Sequence, residues 1–173
     1  PQMRERRRAI ITAPASVRSV GEAVMAADRL LETAKAQADA QVSERNAREK
    51  AELMRQLGME EGESATKASR TMIRQLEEDQ KRRSKRALTD AIDRALIDLL
   101  AIYRDVLMVQ VGGDGELINT DLSDLVHEIA QDSTPRQTLA RVDHIETARK
   151  RLVSNGNPLL VLEDMAISLR PQA

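Results

Sequence analysis

Apolar residues recur at steps of three and four along most of the chain, which is the pattern of amphipathic helices. Ser19 and Glu22 stand at capping-box spacing at the start of the first stripe, where each side chain bonds the other residue's backbone amide. The stripe comprises Val20, Ala23, Val24, Ala27, Leu30, Leu31 and Ala34. Over 35–50 it thins to alanines and Val42, so this stretch has little to bury. The pattern predicts one long helix that ends at Gly58.

A second long helix is predicted from about Ala65 to the glycine-rich turn at 112–115. Its first half is weakly apolar and crosses a charged run. Its second half carries a regular apolar stripe made of Leu88, Ile92, Leu96, Leu99, Tyr103, Val106 and Leu107. With a turn at 58–64, the two long helices are predicted to form an antiparallel hairpin. We expect its outer part, about 35–85, to protrude from the core and to be mobile, because it has few apolar side chains to pack.

Two shorter helices are predicted after this turn. Thr120 or Asp121 can cap the first helix with a side-chain oxygen. Its apolar face comprises Leu122, Leu125, Val126, Ile129 and Ala130. The second helix starts with Thr134, Pro135 and Gln137, which combine capping-box spacing with proline at the first helical position. Its predicted buried stripe is Leu139, Val142, Ile145 and Leu152.

The last predicted helix, 158–169, begins at Asn157-Pro158 and is apolar nearly all round. Other helices or a partner subunit must therefore cover several of its sides. No segment shows the alternation of a strand. The sequence predicts an all-α helical bundle with a long protruding antiparallel helical hairpin, in which the packed segments are 88–111, 122–131, 135–153 and 158–169.

Composition narrows the function classes. The chain has 173 residues and a single aromatic residue, so its core must consist of aliphatic side chains. The 27 basic and 28 acidic residues nearly balance, which argues against a chain that binds nucleic acid or acidic membranes over its whole surface. The absence of cysteine excludes disulfides and thiolate metal sites. No bilayer-length apolar run or signal peptide is evident, so we expect a cytoplasmic protein without a membrane partner.

Two clusters of basic residues could contact phosphates. In the run 77–86, acids precede cations by four positions, which predicts the ion pairs Glu77–Lys81, Glu78–Arg82 and Asp79–Arg83. We interpret this run as a solvated, self-neutralised helix face, with a DNA-tracking face as the alternative. The arginines at 4–8 are interpreted as the solvated part of a short basic helix over 4–11, with phosphate contact as the weaker alternative.

Catalytic, cofactor and metal sites are not predicted. His127 and His144 are 17 positions apart, and no cysteine completes a metal site with them. The glycines at 112–115 lack the lysine and hydroxyl residues of a nucleotide-binding loop. Tyr103 lies on the apolar face of its helix, which indicates a core or interface anchor whose hydroxyl seeks one partner.

Three segments resemble a known family. They read Tyr103-Arg104-Asp105-Val106-Leu107 at a helix end, Ile118-Asn119-Thr120-Asp121 in a loop, and Asn157-Pro158-Leu159-Leu160 at the start of the last helix. In this order they resemble the C-terminal domain of the delta-prime subunit of bacterial DNA polymerase III. The resemblance is best over 88–170 and weaker over 1–57. The predicted hairpin resembles an elongation of this subunit in high-GC Gram-positive bacteria.

The resemblance implies a non-catalytic collar domain in a clamp loader. Five subunits of this family join through such domains, and the ring loads the sliding clamp onto DNA with ATP. The implied partners are the tau/gamma and delta subunits, with DNA contacted only indirectly through the ring. Since the chain opens with Pro1, we expect a fragment in which 1–18 connects to missing ATPase-fold modules and 19–173 is the collar domain.

Five candidate interface residues flank the helix end and loop that carry the resemblance: Tyr103, Arg104, Asp105, Asn119 and Asp121. Each could equally serve internal packing or capping. The main alternative is a stand-alone helical scaffold or coiled-coil adaptor that works through 19–87. A helical hydrolase with an unrecognised site and a nucleic-acid binder are further alternatives.

Overall fold

The computed structural model describes residues 17–58, 66–113 and 115–170, together with Arg8 and Thr12. This part of the chain holds five α-helices, a 3-10 helix and no strand. They are α1 (Val20–Gln56), α2 (Lys67–Gln110), the 3-10 helix (Thr120–Leu122), α3 (Ser123–Gln131), α4 (Pro135–Val153) and α5 (Pro158–Ser168). The predicted all-α helical fold is confirmed. Among the described residues, no helix has the length and apolarity that crossing a bilayer requires.

The residues form two compact units, and α1 and α2 contribute to both. The first unit takes the described residues up to Ala34 and from Ile92 onward, and the second takes those of Lys35–Ala91. The predicted hairpin extension, 35–85, falls within the second unit. Except for Gly58, the turn predicted at 58–64 lies outside the described residues. So does the short basic helix predicted over 4–11, except for Arg8.

Four helices place large side chains in the core of the first unit. The fully buried apolar ones are Ile92, Leu96, Leu99, Ile102, Tyr103, Val106, Val126, Ile145 and Leu162. Of the α2 members, Ile102 was not in the predicted stripe, and the others follow it. Arg149 fastens α4 to α2, because its Nε donates to Asp93 at 2.7 Å. Gln110 fastens the end of α2, accepting from the Thr138 hydroxyl at 2.8 Å and donating to the Ser133 carbonyl at 2.7 Å.

The second unit has a small core in which Ala38, Val42 and Ala87 are buried, with Leu88 packed against them. Polar contacts between the helices continue beyond this core. Gln80 Nε2 donates to the Asn46 carbonyl at 2.9 Å, and Arg83 donates to the Asn46 side chain at 2.7 Å. Residue numbers rise along α1 as they fall along α2, so these stretches run antiparallel.

The three ion pairs predicted for the charged run are wrong. The pairs observed are Glu77–Lys50, Glu78–Arg74, Asp79–Arg82 and Arg83–Glu49. Two of them cross from α2 to α1 and therefore join residues far apart in sequence. The antiparallel neighbour offers Glu49 and Lys50 to side chains that the sequence pattern assigned to partners on their own helix. The run is thus partly a contact face between helices.

Most predicted helix starts are confirmed. The Glu22 amide donates to Ser19 Oγ and the Ser19 amide donates to Glu22 Oε2, both at 3.1 Å. Thr134 and Gln137 form the second capping box. Asn157 Oδ1 accepts from the amides of the second and third residues of α5, at 3.0 and 3.3 Å. These contacts satisfy amides that have no partner inside the helix.

The predicted cap of α3 is wrong. Thr120 and Asp121 lie inside the 3-10 helix, and the residue that precedes α3 is Leu122, which provides no side-chain cap. The Leu122 amide instead donates to the Asn119 carbonyl at 3.0 Å. Leu122 is itself buried. A tight turn that places this leucine in the core replaces the expected polar cap.

Helices α2 and α4 end in Schellman motifs, in which a left-handed residue lets two amides reach back to carbonyls of the last turn. After α2, Gly112 has φ of 67°, and the Gly113 amide donates to the Met108 carbonyl at 3.0 Å. After α4, Asn155 has φ of 63°, and the Gly156 amide donates to the Arg151 carbonyl at 2.8 Å. Gly58 likewise has a positive φ of 64° after α1 and confirms the predicted stop.

The predicted buried stripe of α4 is partly wrong. Leu139 is exposed and Val142 is only half-buried. The buried residues are Thr138, Arg141, Ile145, Ala148 and Leu152. Two polar side chains thus replace two apolar ones because each has a favourable contact: Thr138 bonds Gln110, and Arg141 lies over the Tyr103 ring. In α5, Leu160 is exposed, so the helix is covered on most sides but not on all.

Candidate interaction site at the end of helix α2

The five predicted interface residues lie at the end of α2 and in the connection to α3. The structure brings Asp105 into direct contact with both Asn119 and Arg104, and Asp105 and Asn119 are fully buried. Tyr103 is also buried. Arg104 is half-exposed beside Asp105, and Asp121 is exposed in the 3-10 helix. We call these five residues the α2–α3 loop site.

Asp105 is the centre of the α2–α3 loop site. One carboxylate oxygen accepts from the backbone amide of Asn119 at 2.8 Å and from its side-chain amide at 2.9 Å. The other oxygen accepts from the Ile118 amide at 3.1 Å and from Arg104 at 2.9 Å. These donors come from positions up to 14 residues away, so one buried carboxylate fixes the course of the loop.

Burial and hydrogen bonding have opposite effects on the pKa of Asp105. Burial acts to raise the pKa of its carboxyl group, because the anion loses its hydration. Hydrogen bonds from the Asn119 and Ile118 amides, the Asn119 side chain and Arg104 outweigh burial and hold the pKa below its usual value. The carboxylate therefore remains ionised and keeps accepting from the loop amides at neutral pH.

Arg104 links the loop to the solvent side of α2. Its guanidinium donates to Asp105 and also lies 3.3 Å from the Glu116 carbonyl. Val111 and Ile118, both in the connection between α2 and α3, expose large apolar side chains. The backbone of Ile118 is fixed in place, because its amide donates a hydrogen bond to Asp105. The loop therefore presents a fixed apolar side chain beside an arginine, which suits contact with another protein.

Tyr103 is the buried aromatic residue of the α2–α3 loop site. Its hydroxyl was expected to find one partner, but it is buried and has no hydrogen-bond partner within the described residues. Burial raises the pKa of Tyr103 to about 12, although the nearby Arg141 acts to lower it. The Arg141 guanidinium lies 5.9 Å from the ring centroid, within the range of a cation–π contact. Tyr103 is thus a neutral core residue in contact with a cation.

His127 is engaged within its own helix. His127 Nδ1 lies 2.8 Å from the Ser123 carbonyl and 3.4 Å from its hydroxyl, within one turn of α3. The ring is thereby engaged with backbone, and no acidic side chain in the described part of the chain is seen to orient it. In the same part, no group of three or more His, Cys, Asp or Glu side chains could hold a metal ion.

Sequence reasoning missed a second feature of the first unit. A cleft of about 490 Å³ lies between α4 and the end of α5. Its lining includes Arg136, Arg141, His144, Ser168 and Arg170. The arginines are separated by up to 34 positions, so only the fold brings them together. Spacing gave a partial signal, because 136, 140 and 144 lie on one helix face, as do 137 and 141.

Comparison with known proteins agrees with the sequence resemblance. Over a stretch of 72 residues, this chain is 36% identical to DNA polymerase III subunit delta′ of Bacillus subtilis (strain 168). The alignment covers 42% of this chain and 22% of that protein, so the chain spans about a fifth of its relative. No solved structure matches the chain significantly.

A family model covers more of the chain than this relative does. The model is described as DNA polymerase III, delta subunit, C terminal, and it matches residues 49–170. That range contains the end of α1 and every later helix, including the whole α2–α3 loop site. The resemblance seen in the three sequence segments is thereby confirmed. The chain belongs to the family of C-terminal domains of DNA polymerase III delta subunits.

Proposed function

We propose that this chain is the non-catalytic collar domain of a DNA polymerase III clamp-loader subunit and that it holds the subunits of the loader together. The family match over 49–170 is the observation that carries the proposal. The delta-prime relative supports it from an independent comparison. On this proposal the neighbours are tau/gamma and delta subunits in the cytoplasm, and DNA is reached only through the assembled ring.

The surface of the first unit supports a role in assembly. Large apolar side chains remain exposed on several elements of this unit, including Val111, Ile118, Leu139, Val153 and Leu160. Covering this apolar surface with a partner removes it from water and stabilises the assembly. A stable assembly buries about 1,200–2,000 Å² in total, and such interfaces combine apolar centres with polar rims.

Within the α2–α3 loop site, the five candidate residues would act in two ways. Arg104 and Asp121 have exposed side chains and are proposed to touch the neighbouring subunit directly. Tyr103, Asp105 and Asn119 are buried within this chain. They are proposed to hold the loop in shape and to act on the interface through it.

The proposal also concerns the protein as a whole. We place 1–18 as the connection to ATPase-fold modules and 19–173 as the collar domain, with the part over 35–85 as an extension of it. ATP hydrolysis and clamp loading would belong to the whole loader, and this domain would contribute no reacting group.

Co-elution tests the proposal. The chain is mixed with tau/gamma and delta subunits and run on a sizing column with light scattering. We expect a joint peak, and we expect Ile118→Asp to weaken it at least about tenfold by placing a charge in an apolar contact. Met72→Asp is the matched control, because Met72 is also an exposed apolar residue but lies in the second unit.

Two outcomes contradict the proposal. The absence of any joint peak would favour a stand-alone helical scaffold that works through 19–87. A joint peak that Met72→Asp abolishes and Ile118→Asp leaves intact would move the contact from the α2–α3 loop site to the second unit.

A further inference from the structure

The cleft between α4 and the end of α5 is lined by an unusual set of side chains. Three of them are arginines: Arg136, Arg141 and Arg170. His144 and Ser168 add further polar groups, and none of the described residues that line the cleft is acidic. The cleft thus concentrates positive charge on a chain whose formal net charge is −1.

Arg141 is the most informative residue of the cleft. It is 7% exposed, so it is nearly buried, and yet it lines the open cavity. It forms no hydrogen bond or ion pair with the described residues, and its guanidinium lies over the face of the Tyr103 ring. A cation that is largely withdrawn from water and has no counter-charge favours an anion in the cavity that it lines. Tyr103 cannot supply that charge, because it stays neutral up to a pKa of about 12.

Three carboxylates of α2, α4 and α5 form ion pairs with arginines that do not line the cleft. Asp93 and Glu146 both bind Arg149. Asp164, on α5, binds Arg151. None of these three acids pairs with Arg141, which lines the cavity.

We propose that this cleft is a binding site for a phosphate group, held by Arg141 with Arg136 and Arg170. Guanidinium groups bind phosphate oxygens through paired, charge-assisted hydrogen bonds. A phosphate offers more charge and more acceptor oxygens than one carboxylate does, so it suits three converging arginines better. The volume of about 490 Å³ falls within the roughly 300–1,000 Å³ of ligand sites.

The lining also limits what else the site recognises. It contains no Phe, Tyr or Trp side chain on which a nucleobase could stack. The arginines of the lining therefore address the phosphate itself. Two sources share this chemistry: a soluble diphosphate or nucleotide, and the phosphodiester backbone of a nucleic acid.

Titration of the full chain with pyrophosphate tests the site. Binding is followed by backbone amide NMR, with succinate at matched ionic strength as the carboxylate control. We expect saturable shifts confined to 136–144 and 168–170, and weaker binding of succinate. Arg141→Lys keeps the charge but loses the paired donors, so it should weaken pyrophosphate binding roughly tenfold or more.

A second variant guards against loss of the fold. Arg136→Gln changes an exposed side chain of the cleft and should weaken binding several-fold without unfolding the chain. Arg29→Gln, on an exposed face of α1, is the matched control and should bind as the parent does. Equal affinity in both glutamine variants, tighter binding of succinate, or no saturable binding overturns the proposal.

A short DNA duplex distinguishes the two sources. If the duplex competes with pyrophosphate and depends on Arg136 and Arg141 in the same way, the natural ligand is a nucleic-acid backbone. If pyrophosphate binds and the duplex does not compete, the ligand is a soluble phosphate compound. Duplex binding that ignores both arginines, without pyrophosphate binding, contradicts the site. These readouts are independent of subunit co-elution, so failure here leaves the proposed assembly function untouched.

Discussion

Buried hydroxyl groups usually have hydrogen-bond partners, but the hydroxyl of Tyr103 has none within the described residues. The aromatic ring is what the core uses, because it fills space and lies beneath Arg141. At the other extreme, Asp105 is buried with every carboxylate contact satisfied. Two buried polar residues two positions apart therefore differ in what their polar atoms contribute.

The first prediction concerns the hydroxyl of Tyr103. We expect Tyr103→Phe to leave the free energy of unfolding unchanged or to raise it by up to about 1 kcal/mol, because an unpaired polar group leaves the core. Urea denaturation measures the change. Tyr103→Leu is the contrast, since it removes the ring beneath Arg141 and should destabilise the chain. A loss above about 1 kcal/mol in the Phe variant would show that the hydroxyl is bonded.

The second prediction concerns Asp105. Asp105→Asn turns one acceptor oxygen into a donor that faces loop amides, so we expect a loss of about 2–3 kcal/mol in the free energy of unfolding. Asp143→Asn is the matched control at an exposed helix position and should change stability by less than about 0.5 kcal/mol. Similar losses in both variants would contradict the role assigned to the buried carboxylate.

At the scale of elements, helix starts were predictable and their tertiary contacts were not. Ser19 with Glu22, and Thr134 with Gln137, form bonds within three residues, which a single sequence displays. Arg83 instead binds Glu49, 34 positions away, because the antiparallel helix brings that carboxylate closer than any local one. Local spacing therefore identifies a cap but cannot choose between partners on two helices.

A third prediction compares the effect of a glycine-to-alanine substitution after the end of α2 with that of the same substitution at the start of α1. Gly112 has a positive φ, and an added Cβ would meet no atom within 4 Å, so Gly112→Ala adds backbone strain alone. We expect a loss of about 1–2 kcal/mol. Gly21, equally uncrowded, lies in the first turn of α1, where Gly21→Ala should raise stability by up to about 1 kcal/mol. Urea midpoints that move in the same direction for both variants would contradict this assignment.

The fourth prediction concerns Glu49, whose pKa is lowered to about 2 by its bond to Arg83 and then by its bond to Arg45. The pKa of Glu49 in the folded chain lies below the ordinary value of 4.5. The ionised carboxylate therefore contributes its full stabilisation at pH values above 4.5. This contribution is lost as the pH falls toward 2. Arg83→Gln should raise the pKa of Glu49 toward its ordinary value, as followed by carboxyl NMR titration.

The control for this titration is Arg82→Gln. Arg82 is exposed and lies 3.8 Å from Asp79 on its own helix, so its loss should leave the pKa of Glu49 where it is. Equal shifts in the two variants would mean that general charge acts on Glu49 instead of the contact with Arg83.

At the scale of the whole molecule, the two units differ in what they bury. The first unit buries many large aliphatic side chains, whereas the described core of the second consists of Ala38, Val42 and Ala87 with Leu88 beside it. The sequence displayed this difference, because the stripe thins to alanines over 35–50. The sequence did not display the arginine-lined cleft. The apolar pattern of α4 predicted burial for Leu139 and Val142, and not for Arg141, which lies between them in sequence.

The fifth prediction follows from this difference in burial. Amide hydrogens over 43–56 and 67–85 should exchange faster than those over 94–108, because fewer buried apolar contacts oppose local opening. Hydrogen–deuterium exchange with mass spectrometry measures the rates by segment. Equal protection in the two sets of segments would show that the small core and polar contacts of the second unit suffice for stability.

Tyr103 is the one aromatic residue of the chain, and it contacts a residue that lines the cleft. All intrinsic ultraviolet emission of the protein therefore originates at a single position, between the packed interior and the arginine-rich cavity. Folding acts on this natural fluorophore, and we expect a ligand bound beside Arg141 to act on it as well, with no tryptophan to mask the change. The molecule carries its own optical reporter, and a dye is unnecessary.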